Sequence, residues 1–246
     1  MSLPAPARTR VLASGRFEAT TLLRNGEQLL VSIVLPLMAL VVLTHAPYPV
    51  LDAPRIDVVA PGVLALAVVS TAFTGQAIST GFDRRYGVLR LLGVSPLGRG
   101  GLMAGKAIAV LAVLAVQILV LGAAAGALGW RPDPGGLAPL LVSLVLGALC
   151  FVALALLLAG ALRAEAVLAV ANLLWVVFLG LGLLLPTSNL PDRLGAVAVW
   201  LPSGALGDAA RTASLDGGWP LVHWVALLAW AVVAGLLARR TFRWSD

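Results

Sequence analysis

The stretch D-R-R-Y-G-V-L-R-L-L-G-V-S-P-L-G-R-G, Asp83 to Gly100, stands between two long apolar runs. Arg84, Arg85 and Arg90 make it too charged for the interior of a bilayer, and Val88, Leu89, Leu91 and Leu92 make it too apolar for a solvated loop. A short amphipathic helix on one membrane face meets both demands, stopped by Gly93 and by the Ser95-Pro96 step. Apolar residues kept on such a helix are a surface on which something docks, or they pack on the bundle and the head groups. If the stretch lies on one face, the runs on either side of it must cross.

Working outward, six segments approach the roughly 20 apolar residues that a spanning helix requires. They are Gln28–Leu43, Val58–Ile78, Met103–Leu128, Leu137–Leu162, Ala166–Leu185 and Leu221–Leu237. The first and last are short and lean on amphipathic flanks or snorkelling arginines. Pro36 and Pro61 each remove a backbone donor, which predicts kinks that bundle neighbours must cover. Lys and Arg near the span ends give the orientation. With six spans, Arg8, Arg10, Arg16, Arg24, Arg84, Arg85, Arg90, Arg99, Lys106, Arg163, Arg239, Arg240 and Arg243 fall on one side, 13 of the 17 basic residues. The other side holds Arg55, Arg131, Arg193 and Arg211 against Asp52, Asp57, Asp133, Asp192, Asp208 and Asp216. Five or seven spans would put a basic cluster outside. The expectation is an all-α membrane protein with six transmembrane helices and both termini cytoplasmic.

Composition agrees. Hydrophobic residues make up 60% of the chain and charged residues 11%, with a mean hydropathy of +1.00. A soluble domain carries about 25% charged residues. The apolar content is spread evenly, which predicts one membrane domain over residues 1–246, with a cytoplasmic segment 1–27, a cytoplasmic amphipathic region 83–100 and an outer or re-entrant segment 186–220. The net charge of +6 reads as topology, and no nucleic-acid partner is expected. Cys150 is the only cysteine, so no internal disulfide and no cysteine-based metal site can form. The N-terminal residues lack a continuous apolar core, so no cleavable signal peptide is expected. The abundance of Ala, Arg, Gly and Leu with a single Lys reads as a GC-rich bacterial genome, hence a bacterial plasma membrane.

Residues Arg8 to Arg24 read as an interfacial helix, with Val11, Leu12, Phe17, Leu22 and Leu23 as its apolar positions and membrane lipids as its neighbours. In the outer segment, Leu194–Leu201 and Ala205–Ala210 read as two short helices, with breaks at Pro191, Pro202 and Gly204.

Several motifs invite other readings. Gly100-x-x-x-x-Gly105-Lys106 is almost a phosphate-binding loop, but Ala107 stands where a hydroxyl must hold the metal and no strand precedes it. Ser203 and His223 could belong to an intramembrane serine hydrolase, yet no GxSx turn supplies an oxyanion hole. A helix-capping Ser203 and an interfacial His223 beside Trp219 and Trp224 fit better. The membrane-face acids are scattered singly, so paired-carboxylate chemistry finds no support. No Asp, Glu, Lys or Arg is expected buried inside the spans, which argues against an ion-coupled carrier. The polar residues left there are Ser70, Thr71, Thr74, Gln76, Ser79, Thr80, Gln117, Ser143 and Asn172. The second span and the two residues just past it carry six of them and face a partner or a passage; hydrogen bonds within the bundle would also account for them.

Three features in order resemble ABC-2-type permeases, the membrane subunits of ATP-driven exporters. After the second span the family has an acid, three residues, Gly, a small or β-branched residue, Leu, then a Leu-rich step to Thr/Ser-Pro and a base. Asp83, Gly87, Leu89, Leu92, Ser95, Pro96 and Arg99 meet it, with Lys106 opening the third span. Leu22 to Leu30, L-L-R-N-G-E-Q-L-L, followed by Leu35-Pro36, resembles the approach to the first span. Leu201-Pro202 with Ala205-Leu206, and a last span running into A-R-R-T-F-R-W, match the end. Asp83 replaces the commoner Glu, Arg85 and Arg90 stand where acids are frequent, and the usual Ser-Gly near the end of the fifth span is absent.

The resemblance implies that Asp83 to Pro96 is a coupling helix seated on a separate ATP-binding cassette subunit. Asp83, Arg84, Arg85, Gly87, Leu89, Arg90, Leu92, Ser95, Pro96 and Arg99 would form that interface. It also implies pairing with a second permease copy or a paralogue. This chain would bind no cofactor and catalyse nothing itself, with ATP and Mg²⁺ held in the partner. Thr71, Thr74, Gln76, Gln117 and Asn172 are the passage-lining candidates, for a drug or lipid-like substrate moved outward. The alternatives are a non-transporting assembly or sensor subunit and, behind it, an intramembrane hydrolase.

Overall fold

A computed structural model describes residues 5–24, 26–51, 53–93 and 96–241. Among these the chain is all helical, without strands. The helices are α1 (Ala7–Arg24), α2 (Gly26–His45), α3 (Arg55–Val68), α4 (Gln76–Arg85), α5 (Val88–Gly93), α6 (Gly98–Ala127), α7 (Leu137–Ala161), α8 (Ala164–Phe178), α9 (Asp192–Ala198), α10 (Pro202–Asp216) and α11 (Leu221–Thr241). Five helical runs are long and apolar enough to cross a membrane: Arg55–Arg85, Gly100–Ala127, Pro134–Ala161, Ala164–Leu183 and Leu221–Thr241. The segment expected as the first span lies in α2, whose apolar part, Ser32–His45, is shorter than these.

The run from α3 to α4 is the axis of the bundle, with 78% of its most apolar window buried, against 22% for α11. In lipid, apolar area alone does not bring helices together, so close packing and interhelical hydrogen bonds must do it. Small residues provide the closeness. From Val58 to Val68 every residue of α3 is buried, Ala60, Gly62, Ala65 and Ala67 among them. α7 and α10 pack on this axis, and α11 packs on α7. The outward faces of α8 and α11 carry exposed Leu173, Val176, Leu221, Val225 and Val232.

Two helical runs contain a break. Val69–Gly75 is a π-helical turn between α3 and α4. Its Phe73 meets Phe151 of α7 and Phe178 of α8 edge to face, with ring centroids 6.1 and 5.4 Å away. The fifth span, read as continuous to Leu185, instead unwinds at Leu179–Leu183, where Leu181 has ψ 63° and Gly182 has φ 84°. A side chain at Gly182 would be strained by that φ and would collide with Gly204, whose Cα would lie 2.8 Å from the added Cβ.

Other expectations change in detail. The stretch from Asp83 to Pro96, expected as one helix, is divided between two. α4 ends at Arg85, and Gly87 at φ 76° turns the chain before α5 begins at Val88. The reason is local: only glycine takes this conformation without strain. In the outer segment α9 starts after Pro191 and α10 starts at Pro202, as expected, but Gly204 lies inside α10 rather than ending a helix. It is needed there for close approach, because a Cβ would stand 2.0 Å from the carbonyl oxygen of Ala198.

The interior also holds charge, and Lys106, within the expected third span, runs contrary to expectation. Lys106 is 1% exposed in α6, Arg84 is 4% exposed at the end of α4, and Arg211 is 4% exposed in α10. Each is paired or donates to backbone carbonyls, the condition under which a buried cation is tolerated. Sequence periodicity carries no information about such partners on other helices.

Candidate functional site

A cavity of about 760 Å³ opens beside the π-helical turn. Its wall is built by Leu22 of α1, by Ser32, Leu35, Pro36 and Ala39 of α2, by the chain from Leu66 to Ser79, by Val113 of α6, and by Asn172, Trp175, Leu179 and Leu184 around α8. That size lies within the range of small-molecule sites. The wall is apolar with a few uncharged polar side chains and carries no Asp, Glu, Lys, Arg or His among the described residues.

Four of the five passage-lining candidates, Thr71, Thr74, Gln76 and Asn172, are on this wall. Gln117 is fully buried behind it. Its amide donates to Thr71 Oγ1 (3.0 Å) and to the carbonyl of Ser32 (2.9 Å), while Thr71 donates to Gln117 Oε1 (3.1 Å). Gln117 thereby ties α2 and α6 to the π-helical turn. Trp175 Nε1 donates to Ser70 Oγ (2.9 Å), linking α8 to the same turn. Asn172 Nδ2 donates to Leu168 in its own helix, and Ser79 donates to the Gln76 carbonyl. Two polar atoms of the wall are buried without a hydrogen-bond partner: Thr74 Oγ1 and Gln76 Oε1. Thr80 Oγ1, one turn beyond Gln76, is in the same state.

Below the cavity, the residues expected at a coupling surface divide into two groups. Asp83 and Arg84 turn inward. Lys106 Nζ donates to Glu18 Oε1 of α1 (2.6 Å) and reaches Asp83 Oδ2 of α4 (3.4 Å), so one lysine joins three helices. Arg84 Nη1 donates to the Ala159 carbonyl (2.8 Å) and Nη2 to Leu162, closing the end of α7. Leu89 is also fully buried. Arg85 pairs with Glu165 at the surface. Tyr86 and Leu91, each 73% exposed, and Val88 present the outward apolar face. Gly87 makes the turn, and the Pro96 carbonyl accepts from Arg10 of α1. Ser95 lies outside the described residues, as do the side chains of Arg90, Leu92 and Arg99. Tyr86 was not singled out in the sequence; its place between an Arg pair and a glycine turn is the signal that could have found it.

The near-phosphate-loop sequence has a different use. Gly105 lies against Ser14 and Gly15 of α1, and a Cβ there would stand 2.9 Å from Ser14 Oγ. A Cβ on Gly15 would lie 2.9 Å from Ile108 Cβ. The glycine and lysine thus form a helix crossing: closeness from Gly105, an ion pair from Lys106.

At the opposite end, the carbonyls freed by the break after α8 are collected by α10. Ser203 Oγ donates to Leu181 (2.9 Å), so it bonds across elements rather than capping its own helix. Arg211 Nη1 donates to Gly182 (3.0 Å) and to Asp208 Oδ1 (3.0 Å), and Nη2 to Leu183 (2.7 Å). Asp208 also accepts from Thr187 Oγ1 (2.5 Å) and from the Thr187 amide (3.2 Å). Burial lowers the Arg211 pKa to about 10 and Asp208 opposes the shift, so the guanidinium is charged at neutral pH. Trp219 and Trp224 stack edge to face near His223, with centroids 5.7 Å apart.

A search of the curated proteins found no match. Residues 55–240 match the family described as ABC-2 family transporter protein, a region that runs through all five long apolar helices. The chain belongs to the ABC-2 transporter family and is a transmembrane subunit of an ABC transporter.

Proposed function

We propose that this subunit exports a hydrophobic or amphipathic substrate through the cavity beside the π-helical turn. In this reading the chain crosses the plasma membrane six times, α2 being the first span and both termini cytoplasmic. The family implies an ATP-binding cassette partner. That separate subunit holds ATP and Mg²⁺ and seats against the outward face of Tyr86, Val88 and Leu91. A second permease, identical or paralogous, completes the passage. The observation that carries the reading is the cavity itself: about 760 Å³, apolar, uncharged, and set at a break in the central helix. π-Helical breaks concentrate at functional sites. Lys106 gives movement at the α5 end a rigid route upward, since it ties α4 and α6 to α1, and rigid elements pass on rigid-body motion.

The test is co-purification followed by ATPase assay in lipid. The chain in mild detergent brings down an ATP-binding cassette subunit, and the complex hydrolyses ATP faster with a hydrophobic substrate present. Leu91→Asp with Tyr86→Asp places two charges on the docking face, and lowers that stimulation about tenfold or more, the effect of losing a few contacts at an interface centre. Recovery of the chain with no ATPase, or unchanged stimulation in the double variant, refutes the reading. Both positions are exposed, so the variants should fold.

A further inference from the structure

The cavity wall carries more polar groups than the bundle needs, and only some are used. Ser70, Thr71, Ser79 and Asn172 are engaged with neighbouring helices or with their own backbone. Gln76 Oε1 and Thr74 Oγ1 are not. Gln76 is 1% exposed, and a buried amide oxygen without a donor costs roughly 1–3 kcal/mol. The wall offers no charge to pair with an ionic ligand, and an unpaired charge in such a place is more costly still.

Resting on the transport reading above, we infer that the cavity selects an uncharged amphiphile presenting a hydroxyl group, held by Gln76 and Thr74. The chemistry is specific. The free valence of Gln76 is an acceptor, so the ligand must donate. The Thr74 hydroxyl can donate or accept, so a group that suits either residue is one that donates and accepts at a single atom, as an alcohol does. Leu35, Pro36, Ala39, Leu66 and Leu179 surround the rest with apolar surface for the body of the molecule. A cationic amine could donate to Gln76 but would bring an unpaired charge, and an anion would find no donor of matching charge.

Trp175 on the same wall is a built-in reporter. The full chain in phosphatidylcholine nanodiscs is titrated with three brominated quenchers that share one body: dibromostearoyl glycerol, methyl dibromostearate and dibromostearylamine. Dibromocholesterol runs beside them, to separate a chain-like alcohol from a rigid polycyclic one. Subtracting Trp175→Phe isolates the cavity signal. At least one alcohol is expected to quench Trp175 with an affinity about tenfold above the ester and the amine, the effect of roughly one satisfied hydrogen bond in a buried site. Gln76→Leu should abolish the preference and leave ester binding unchanged. It replaces an amide whose oxygen has no partner with an apolar side chain of similar size, and its unfolding midpoint checks that the fold is kept. Equal quenching by alcohol, ester and amine overturns the inference and leaves the cavity as a binding site. A preference that survives Gln76→Leu overturns it too. No quenching of Trp175 by any of the four removes the cavity from the transport reading as well.

Discussion

The molecule interrupts two helices, one at Val69–Gly75 on the central axis and one at Leu179–Leu183 at the end of α8, and it treats them in opposite ways. At the end of α8, the loosened carbonyls of Leu181, Gly182 and Leu183 all receive donors from Ser203 and Arg211. Asp208 then holds Arg211 and Thr187 together. At the central break, Phe73 is locked by Phe151 and Phe178, and Thr71 is locked by Gln117. Yet Thr74 and Gln76 keep unpartnered oxygens, as does Thr80 below them. Unsatisfied backbone in a membrane is tolerated only where protein or a water-filled cavity covers it. The break after α8 therefore has its loosened carbonyls filled, with Arg211 Nε alone of that guanidinium left without a partner. The central one is left with hydrogen-bonding capacity for something that is not part of the chain.

The strongest way to break this contrast is Arg211→Ala. It strips donors from two carbonyls and leaves the largely covered Asp208 without its cation, so a loss of about 3–5 kcal/mol is expected, read as a lower unfolding midpoint in nanodiscs. A loss under 1 kcal/mol would mean that the joint is not held this way. Gly207→Ala comes next. Its Cβ would stand 2.1 Å from the Gly182 carbonyl oxygen, so α10 must back away from the break. The expected cost is about 1–3 kcal/mol; an unchanged midpoint would show that α10 can shift freely. The smallest change sharpens the other side. Thr80→Val keeps the shape of a fully buried side chain and removes an unpartnered hydroxyl, so stability should hold or rise by up to about 1 kcal/mol. A clear loss there would mean that Thr80 has a partner in the membrane and that the two breaks are less different than they look.

Much of the frame could be read without coordinates. The breaks at Pro191 and Pro202 appear where expected, because proline acts through its own backbone. Thr71, Thr74 and Gln76 gather on one wall because polar residues clustered in one apolar helical run share a neighbourhood, while Asn172 reaches it from α8. What could not be read was mostly contact between distant segments. Arg84 and Leu89 looked like interface residues, but Arg84 closes the end of α7 and Leu89 is buried. Lys106 seemed only to open a span, whereas it is buried against Glu18, 88 positions earlier in the chain. Gly105 and Gly15 carry no mark that they meet.

The sequence by itself determined that this is a helical membrane protein, because hydropathy and the sidedness of arginine are sums over local residues that need no partner. It also singled out the polar run from Ser70 to Thr80 and the amphipathic step after Asp83. Only the tertiary structure decided which of those groups are spent on the protein itself. Thr71 and Asp83 are engaged by other helices, Gln76 Oε1 and Thr74 Oγ1 are not, and Tyr86 and Leu91 face outward while Leu89 does not. The physical reason is that a hydrogen bond or an ion pair belongs to two groups at once. Its second member, here Gln117 or Lys106, lies too far along the chain for any local pattern to announce it.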